Sequence, residues 1–267
     1  PDPNCAAGTG KGQQAPACRR QQRGVGMVLI LSIFPGIDLL GRAFEETWPD
    51  ACVVRGPDLL WGGDIHSFHP PLGKFDGVIG GPPCQAFSPI GNFCKTAGAK
   101  HGNLIPEFER VVDEARPQWF LAENVPQAPI PQIRGYVIQN FLLNNRWVGG
   151  EQNRERRFTF GLYFSDDGFI DPAITDNPLL EIETNLFEPI ESFPTVLAGH
   201  GLLKSQRAKY KVQYFSIQKM CQLQGLSSNF LDDAPFTAQK KREVIGNGVP
   251  LPMGQAIARA VRKAVEG

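Results

Sequence analysis

One nine-residue string constrains this chain more than anything else in it: Gly80-Gly81-Pro82-Pro83-Cys84-Gln85-Ala86-Phe87-Ser88. It follows an apolar run, Phe75 to Ile79, that reads as the end of a buried strand. Two glycines and two prolines then fix a sharp, rigid turn. The arrangement presents a thiol at the top of a sheet, and polar Gln85 and Ser88 let the loop beyond face a polar partner. A cysteine that merely packs is the plain alternative. A reactive thiol needs partners, and the rest of the chain must supply them.

The 267 residues make one or two domains, with ample length for a large core. No apolar run approaches the roughly 20 residues of a membrane span, and the start carries no secretory pattern. The six cysteines (5, 18, 52, 84, 94 and 221) form no CxxC pair and no zinc spacing. The expectation is therefore no metal and reduced thiols in a cytoplasmic protein. Formal net charge is zero, which leaves room for a local basic face only. Ser165 to Glu191 holds eight acidic residues and no Lys or Arg; Ser192 to Leu231 holds five Lys or Arg and no acid. A polyanion could be met by the second segment but hardly by the first.

Residues 1–26 show no apolar periodicity and read as a disordered or non-native leader, with Met27 as the natural start. Met27 to Ile33 is a β-type run, turned by Phe34-Pro35-Gly36-Ile37-Asp38. A short amphipathic helix follows, ending near Trp48-Pro49. Strand, glycine turn and helix form the first half of a Rossmann-like unit. Ala51 to Val54 is a second strand, followed by Arg55-Gly56-Pro57-Asp58 and then Gly63-Asp64-Ile65. Residues 89–103 form a long polar loop suited to a lid. Beyond Gly102-Asn103-Leu104, apolar residues at helical spacing run from Leu104 to Ala115, and Pro117 stops that helix. Trp119 to Ala122 is a buried strand leading into Glu123-Asn124-Val125. Gln152-Asn153-Arg154-Glu155-Arg156 precedes a β-type run, Thr159 to Phe164. At strand spacing Arg154 and Arg156 share a face and converge on one carboxylate and one base. The chain closes with Gly246-Asn247-Gly248-Val249-Pro250 and an amphipathic helix.

In this order, the strings resemble the motifs of the DNA cytosine-5 methyltransferases, over residues 27–164 and about 193–265. The resemblance implies a Rossmann-like α/β sheet with helices on both faces, binding S-adenosylmethionine, plus a small target-recognition region. It places cofactor contacts at Phe34, Gly36, Ile37, Asp58, Asp64, Ile65, Pro82, Leu104, Asn247 and Val249. In it, Asp58 would grip the ribose, Asp64 would receive the adenine amino group and Ile65 would pack on the ring. Three positions depart from the family pattern: Asp38 replaces the second glycine of Phe-x-Gly-x-Gly, Ser32 replaces the usual acid two residues before Phe34, and Arg55 stands just after the second strand where the ribose acid is usual, with Asp58 as its stand-in.

By the same resemblance, Cys84 would add to carbon 6 of cytosine, making carbon 5 nucleophilic toward the methyl group. Glu123 would hold and protonate ring nitrogen 3, Arg156 would stabilise the base carbonyl and Arg154 would orient the site. The target must leave the duplex first. Gln85 and Ser88, with Lys204, Arg207, Lys209 and Lys211, are candidates for contacting DNA. The expected layout is a leader (1–26), a catalytic and cofactor domain (27–164), a recognition region and return segment (165–245), and a final motif and helix (246–267). Ser165 to Ser192 is short and acidic, a poor phosphate binder. Either the basic segment 204–219 with Gly199-His200-Gly201 reads a short site, or the acidic segment packs on the catalytic domain and recognition is weak. Double-stranded DNA is the expected partner, the chain a monomer without a membrane, and a bacterium or its phage the expected source. An RNA cytosine methyltransferase and a catalytically silent DNA-binding homologue are the alternatives.

Overall fold

A computed structural model describes residues 26–83, 102–164, 179–185, 192–198, 208–211 and 215–266. Its centre is a six-stranded sheet: β1 (Val28–Ile33), β2 (Ala51–Arg55), β3 (Gly77–Gly80), β4 (Trp119–Asn124), β5 (Tyr136–Asn144) and β7 (Glu155–Tyr163), in the order β2-β1-β3-β4-β7-β5. The first four strands of that order are parallel; β7 runs antiparallel to both β4 and β5. A second, two-stranded sheet pairs β6 (Gln152–Asn153) with β8 (Phe193–Pro194).

The helices cover both faces, as parallel strands buried on two sides require. α1 (Leu39–Thr47) and the last helix, α5 (Leu251–Glu266), pack together on one face. There Phe44, Met253, Ile257 and Val261 join Trp119, Phe158 and Phe160. α2 (Ile105–Ala115) covers the other, where Phe108, Val111 and Val112 meet Val78 and Phe120. Two further helices, α3 (Ile217–Leu223) and α4 (Ala238–Asn247), form a third cluster against the start of α1, through Leu39 and Ala43. Glycine permits close approaches in the sheet: a Cβ on Gly77 would lie 2.2 Å from the Trp119 indole of the neighbouring strand, and one on Gly161 2.1 Å from the Phe120 ring.

β1 has β2 on one side and β3 on the other, so the strand order reverses beside it. Open α/β sheets bind ligands in the crevice at the carboxyl ends of the strands where this happens. Here that crevice is lined by the turn after Ile33 and by Gly80–Pro83, the stem of the cysteine loop.

Two features depart from the sequence expectation, and a third decides between two alternatives it left open. β5 is an edge strand among the described residues, pairing with β7, and polar Gln139 and Asn140 interrupt its apolar pattern. β7 begins at Glu155, ahead of the expected Thr159. The described part of the acidic segment, 179–185, lies on the catalytic core. Leu180 is buried in the main cluster, and its backbone is bonded in both directions by the Gln139 amide. Glu181 pairs with Lys263 at 3.1 Å.

Candidate active site

The acid at the end of β4 occupies the position a catalytic group needs. Glu123 is 8% exposed, and Arg156 Nε lies 2.8 Å from its Oε1. A carboxylate buried this far requires a charged or hydrogen-bonding partner. Sheet register supplies it: Glu123 stands opposite Phe158, so Arg156, two residues along β7, is its diagonal neighbour on the same face. The second oxygen points to the cysteine loop, since a Cβ on Gly81 would come within 3.0 Å of Glu123 Oε2. Asn124 fixes the same stem by donating its amide to the Pro82 carbonyl at 3.2 Å. Thus Glu123, Arg156 and the root of the Gly-Pro-Pro-Cys turn meet at one place. Cys84, Gln85 and Ser88 lie outside the described residues.

Arg154 does not join them, and its expected convergence with Arg156 is corrected. β7 starts at Glu155, so Arg154 lies in the break between two strands and strand periodicity does not govern it. Its side chain turns inward instead. Arg154 is 1% exposed and donates to the carbonyls of Val196 (3.0 Å), Gly246 (3.0 Å) and Gly248 (3.1 Å). Two buried glutamines extend this network. Gln152 donates to Leu223 O and to Gln224 Oε1, both at 2.7 Å, and accepts from Val196 N. Gln224 donates to the carbonyls of Ile245 and Gly248. The Gln152-x-Arg154 pair therefore holds the returning chain, including the Gly246–Val249 string, against the core. Gln224 was not singled out from the sequence; its signal is a lone Gln between Leu223 and Gly225 at a helix end.

The turn after β1 is tightly specified. Phe34, Gly36 and Asp38 all have positive φ (55°, 56° and 57°). Gly36 faces open space, with nothing within 4 Å of an added Cβ, so its main chain can be approached closely by a ligand. Two of the departures from the family pattern, Ser32 and Asp38, touch each other. Ser32 Oγ donates to Asp38 Oδ1 at 2.8 Å, and Asp38 also caps α1 through Gly41 N and pairs with Arg55 Nε at 3.0 Å. A carboxylate absent from position 32 is thus present six residues later, bonded to Ser32, at a left-handed position that Asp tolerates better than most residues.

The other expected cofactor residues surround this turn. Asp58 accepts from Gly36 N (2.9 Å) with one oxygen and Leu60 N (2.7 Å) with the other, so it ties the turn to the segment after β2. Ile37 packs with α3 and α4. Asp64 caps a short turn through His66 N, while Ile65 and Leu104 are buried in one cluster with Ile33 and Phe108. Pro82 is buried at the loop stem. At the chain's return, Val249 is buried, Asn247 is exposed, and an added Cβ on Gly248 would lie 2.6 Å from Leu39 at the head of α1. The main chain at Gly36 and the exposed Asp64 carboxylate belong to the segments that follow β1 and β2, at the carboxyl ends of these strands.

Of the expected DNA contacts, Lys204 and Arg207 lie outside the described residues, while Lys209 and Lys211 are exposed. Tyr210 between them is anchored through its hydroxyl to Ser192 O and by ring contacts to Phe193 and Phe215. Cys221 is fully buried; burial, then the nearby Asp232 charge, pushes its thiol up, so it is a packing residue. No described helix is long and apolar enough to cross a membrane.

Comparison with known proteins agrees with this geometry. A family model described as C-5 cytosine-specific DNA methylase matches residues 62–130, the stretch holding both the cysteine loop and Glu123. The Type II methyltransferase M.DdeI of Desulfomicrobium norvegicum is 26% identical over 211 residues, 64% of this chain and 50% of its own length. The Type II methyltransferase M1.HphI of Haemophilus parahaemolyticus is 49% identical over 147 residues, 49% of this chain and 37% of its own. The chain therefore spans half or less of the length of these two relatives. Among solved structures, the Entamoeba histolytica methyltransferase EhMeth superposes with a TM-score of 0.60 at 13% identity, covering 90% of this chain and 99% of that one, a likeness of fold. With that fold around it, the matched loop-and-acid stretch is similar to the C-5 cytosine-specific DNA methylases.

Proposed function

We propose that the chain transfers a methyl group from S-adenosylmethionine to carbon 5 of a flipped-out cytosine in double-stranded DNA, through a covalent Cys84 adduct at carbon 6. The observation that carries this reading is the Glu123–Arg156 pair, 2.8 Å apart at the end of β4, with the other Glu123 oxygen against Gly81. A cytosine approached by a thiol from that loop would have a carboxyl group and a guanidinium within reach of its polar edge.

The residues divide the work. The Cys84 thiolate forms a bond to carbon 6, and the ring electrons move to carbon 5. Glu123 supports that shift by sharing a proton with ring nitrogen 3, and Arg156 stabilises the carbonyl while holding Glu123 in place. Loss of the carbon-5 proton to a base then restores the ring and expels the thiolate. The Gly36 turn, Asp58, Asp64 and the buried wall of Ile65 and Leu104 would hold the cofactor, whose sulfonium supplies an electrophilic methyl group when bound. Lys209 and Lys211 would meet phosphates, and Gln85 and Ser88 the DNA near the vacated stack. The docking of 179–185 on the core favours the alternative of weak recognition, with the basic segment left to meet phosphates.

The test is transfer of labelled methyl to unmethylated duplex DNA and to RNA in parallel, followed by bisulfite-type sequencing. Methylated cytosines in a common short context of the DNA support the reading. Transfer to RNA alone, or near-normal transfer by Cys84→Ser, refutes it.

A further inference from the structure

The crossover from β2 to β3 carries Asp64 and Ile65, yet it contains no α-helix. Residues 56–76 hold two single 3-10 turns, Leu59–Trp61 and Ile65–Ser67. Such a segment has few ladder partners for its carbonyls and must be anchored from outside. α2 provides the anchor. Arg110 donates from one terminal nitrogen to Ile65 O at 2.8 Å and from the other to Phe68 O at 3.1 Å. One guanidinium thus brackets the turn that Asp64 caps. A planar fork can fix two carbonyls at once; a lysine ammonium on a flexible stem cannot do so in a fixed geometry.

The fork is itself held. Glu107 and Glu114, three and four residues away on α2, contact it at 2.8 and 2.9 Å. His66 lies 3.3 Å from Glu107, and His69 lies 3.0 Å from Glu114. Burial works to lower the Arg110 pKa, but bonds and charge from Glu114 and Glu107 outweigh it, so the cation persists. The same helix starts at Ile105, directly after the Gly102-Asn103-Leu104 string. α2 therefore joins two parts of the crevice that the chain separates by some forty residues.

We propose that Arg110 is a positioning residue of the cofactor site. It sets the Asp64–Ile65 turn against α2 and thereby the affinity for the nucleoside end of S-adenosylmethionine. This deepens the function proposed above and rests on it. Two measurements on the full chain test it. Calorimetric titration with S-adenosylhomocysteine reads affinity without turnover, and steady-state kinetics separate the KM for S-adenosylmethionine from kcat. Arg110→Met should raise both Kd and KM by about tenfold or more, with kcat at saturating cofactor changed far less. Arg110→Lys keeps the charge beside Glu107 and Glu114 but not the fork, and should fall between. It carries the test if the Met variant does not fold. A lowered Tm with Kd unchanged in the folded variants would show a purely structural role and overturn the proposal. A loss confined to kcat would overturn it too. Failure of the unaltered protein to bind S-adenosylhomocysteine would refute the proposed function, and this inference with it.

Discussion

Replacing Arg154 by Met separates two readings of the Gln-x-Arg-x-Arg string. The side chain is 1% exposed and gives three charge-assisted bonds to Val196 O, Gly246 O and Gly248 O at 3.0 to 3.1 Å. Gly248 O keeps a bond from Gln224, so the variant strips Val196 O and Gly246 O of this donor. Losing charged donors to two buried carbonyls, with a cavity partly filled by Met, should cost about 3–5 kcal/mol. At a urea m-value of roughly 2–3 kcal/mol/M, the unfolding midpoint should fall by about 1–2 M. Arg156→Met serves as the contrast. It removes the Glu123 partner at the crevice and should abolish methyl transfer. Circular dichroism in urea and labelled-methyl transfer measure both quantities, and Arg154→Lys provides a folded intermediate if the Met variant is too unstable. Should Arg154→Met lose under about 1 kcal/mol yet lose transfer as fully as Arg156→Met, Arg154 would be acting on the base and not on the return segment.

Glu123→Gln retains shape but not the shared proton, and should slow methyl transfer by about 10²-fold or more while calorimetric binding of S-adenosylhomocysteine stays unchanged. Asp38→Ala removes a cap, the Ser32 acceptor and the Arg55 partner together, at a cost of about 2 kcal/mol in urea unfolding. Ser32→Asp combined with Asp38→Gly should recover most of that loss if the carboxylate serves the same turn from either position. Lys209→Glu with Lys211→Glu should weaken duplex binding in low-salt anisotropy titrations and flatten the slope of log K against log salt by about two. Burial works to raise the Glu114 carboxyl, but bonds from Arg110 and His69 outweigh it and hold it below the usual carboxylate range. Its stabilisation is complete above that range and is lost as pH falls through the lowered value, so Glu114→Gln should flatten the acid side of a stability–pH curve.

What the sequence made legible, and what it hid, follows from the kind of partner each residue has. The cysteine turn, the Gly36 turn and the strand ending at Glu123 announce themselves because their chemistry is local: glycine at a positive φ, proline at a stop, an acid after four apolar residues. The Glu123–Arg156 contact was also within reach, since β-spacing puts Arg156 on a defined face once the two strands pair. Arg154, Gln224 and Arg110 were not, and they share one property. Each donates to main-chain carbonyls of a distant segment: Gly246 and Gly248, Ile245 and Gly248, Ile65 and Phe68. A carbonyl has no residue identity, so nothing in the string of side chains marks which one will be its donor. β5 was missed for a related reason: an edge strand half-covered by Leu180 keeps polar residues where a central strand would be apolar. The crevice of this protein is therefore built in two layers of different visibility. Side chains that face the ligand carry the recognisable strings. The donors beneath them, which fix the height and angle of the irregular segments bearing those strings, look in sequence like ordinary polar residues. If that is right, exchanging Gln224 for Glu, which keeps size and polarity but reverses the hydrogen-bonding sense toward Ile245 O and Gly248 O, should disturb the Gly246–Val249 return as severely as a core truncation, whereas the same exchange at exposed Gln222 should not.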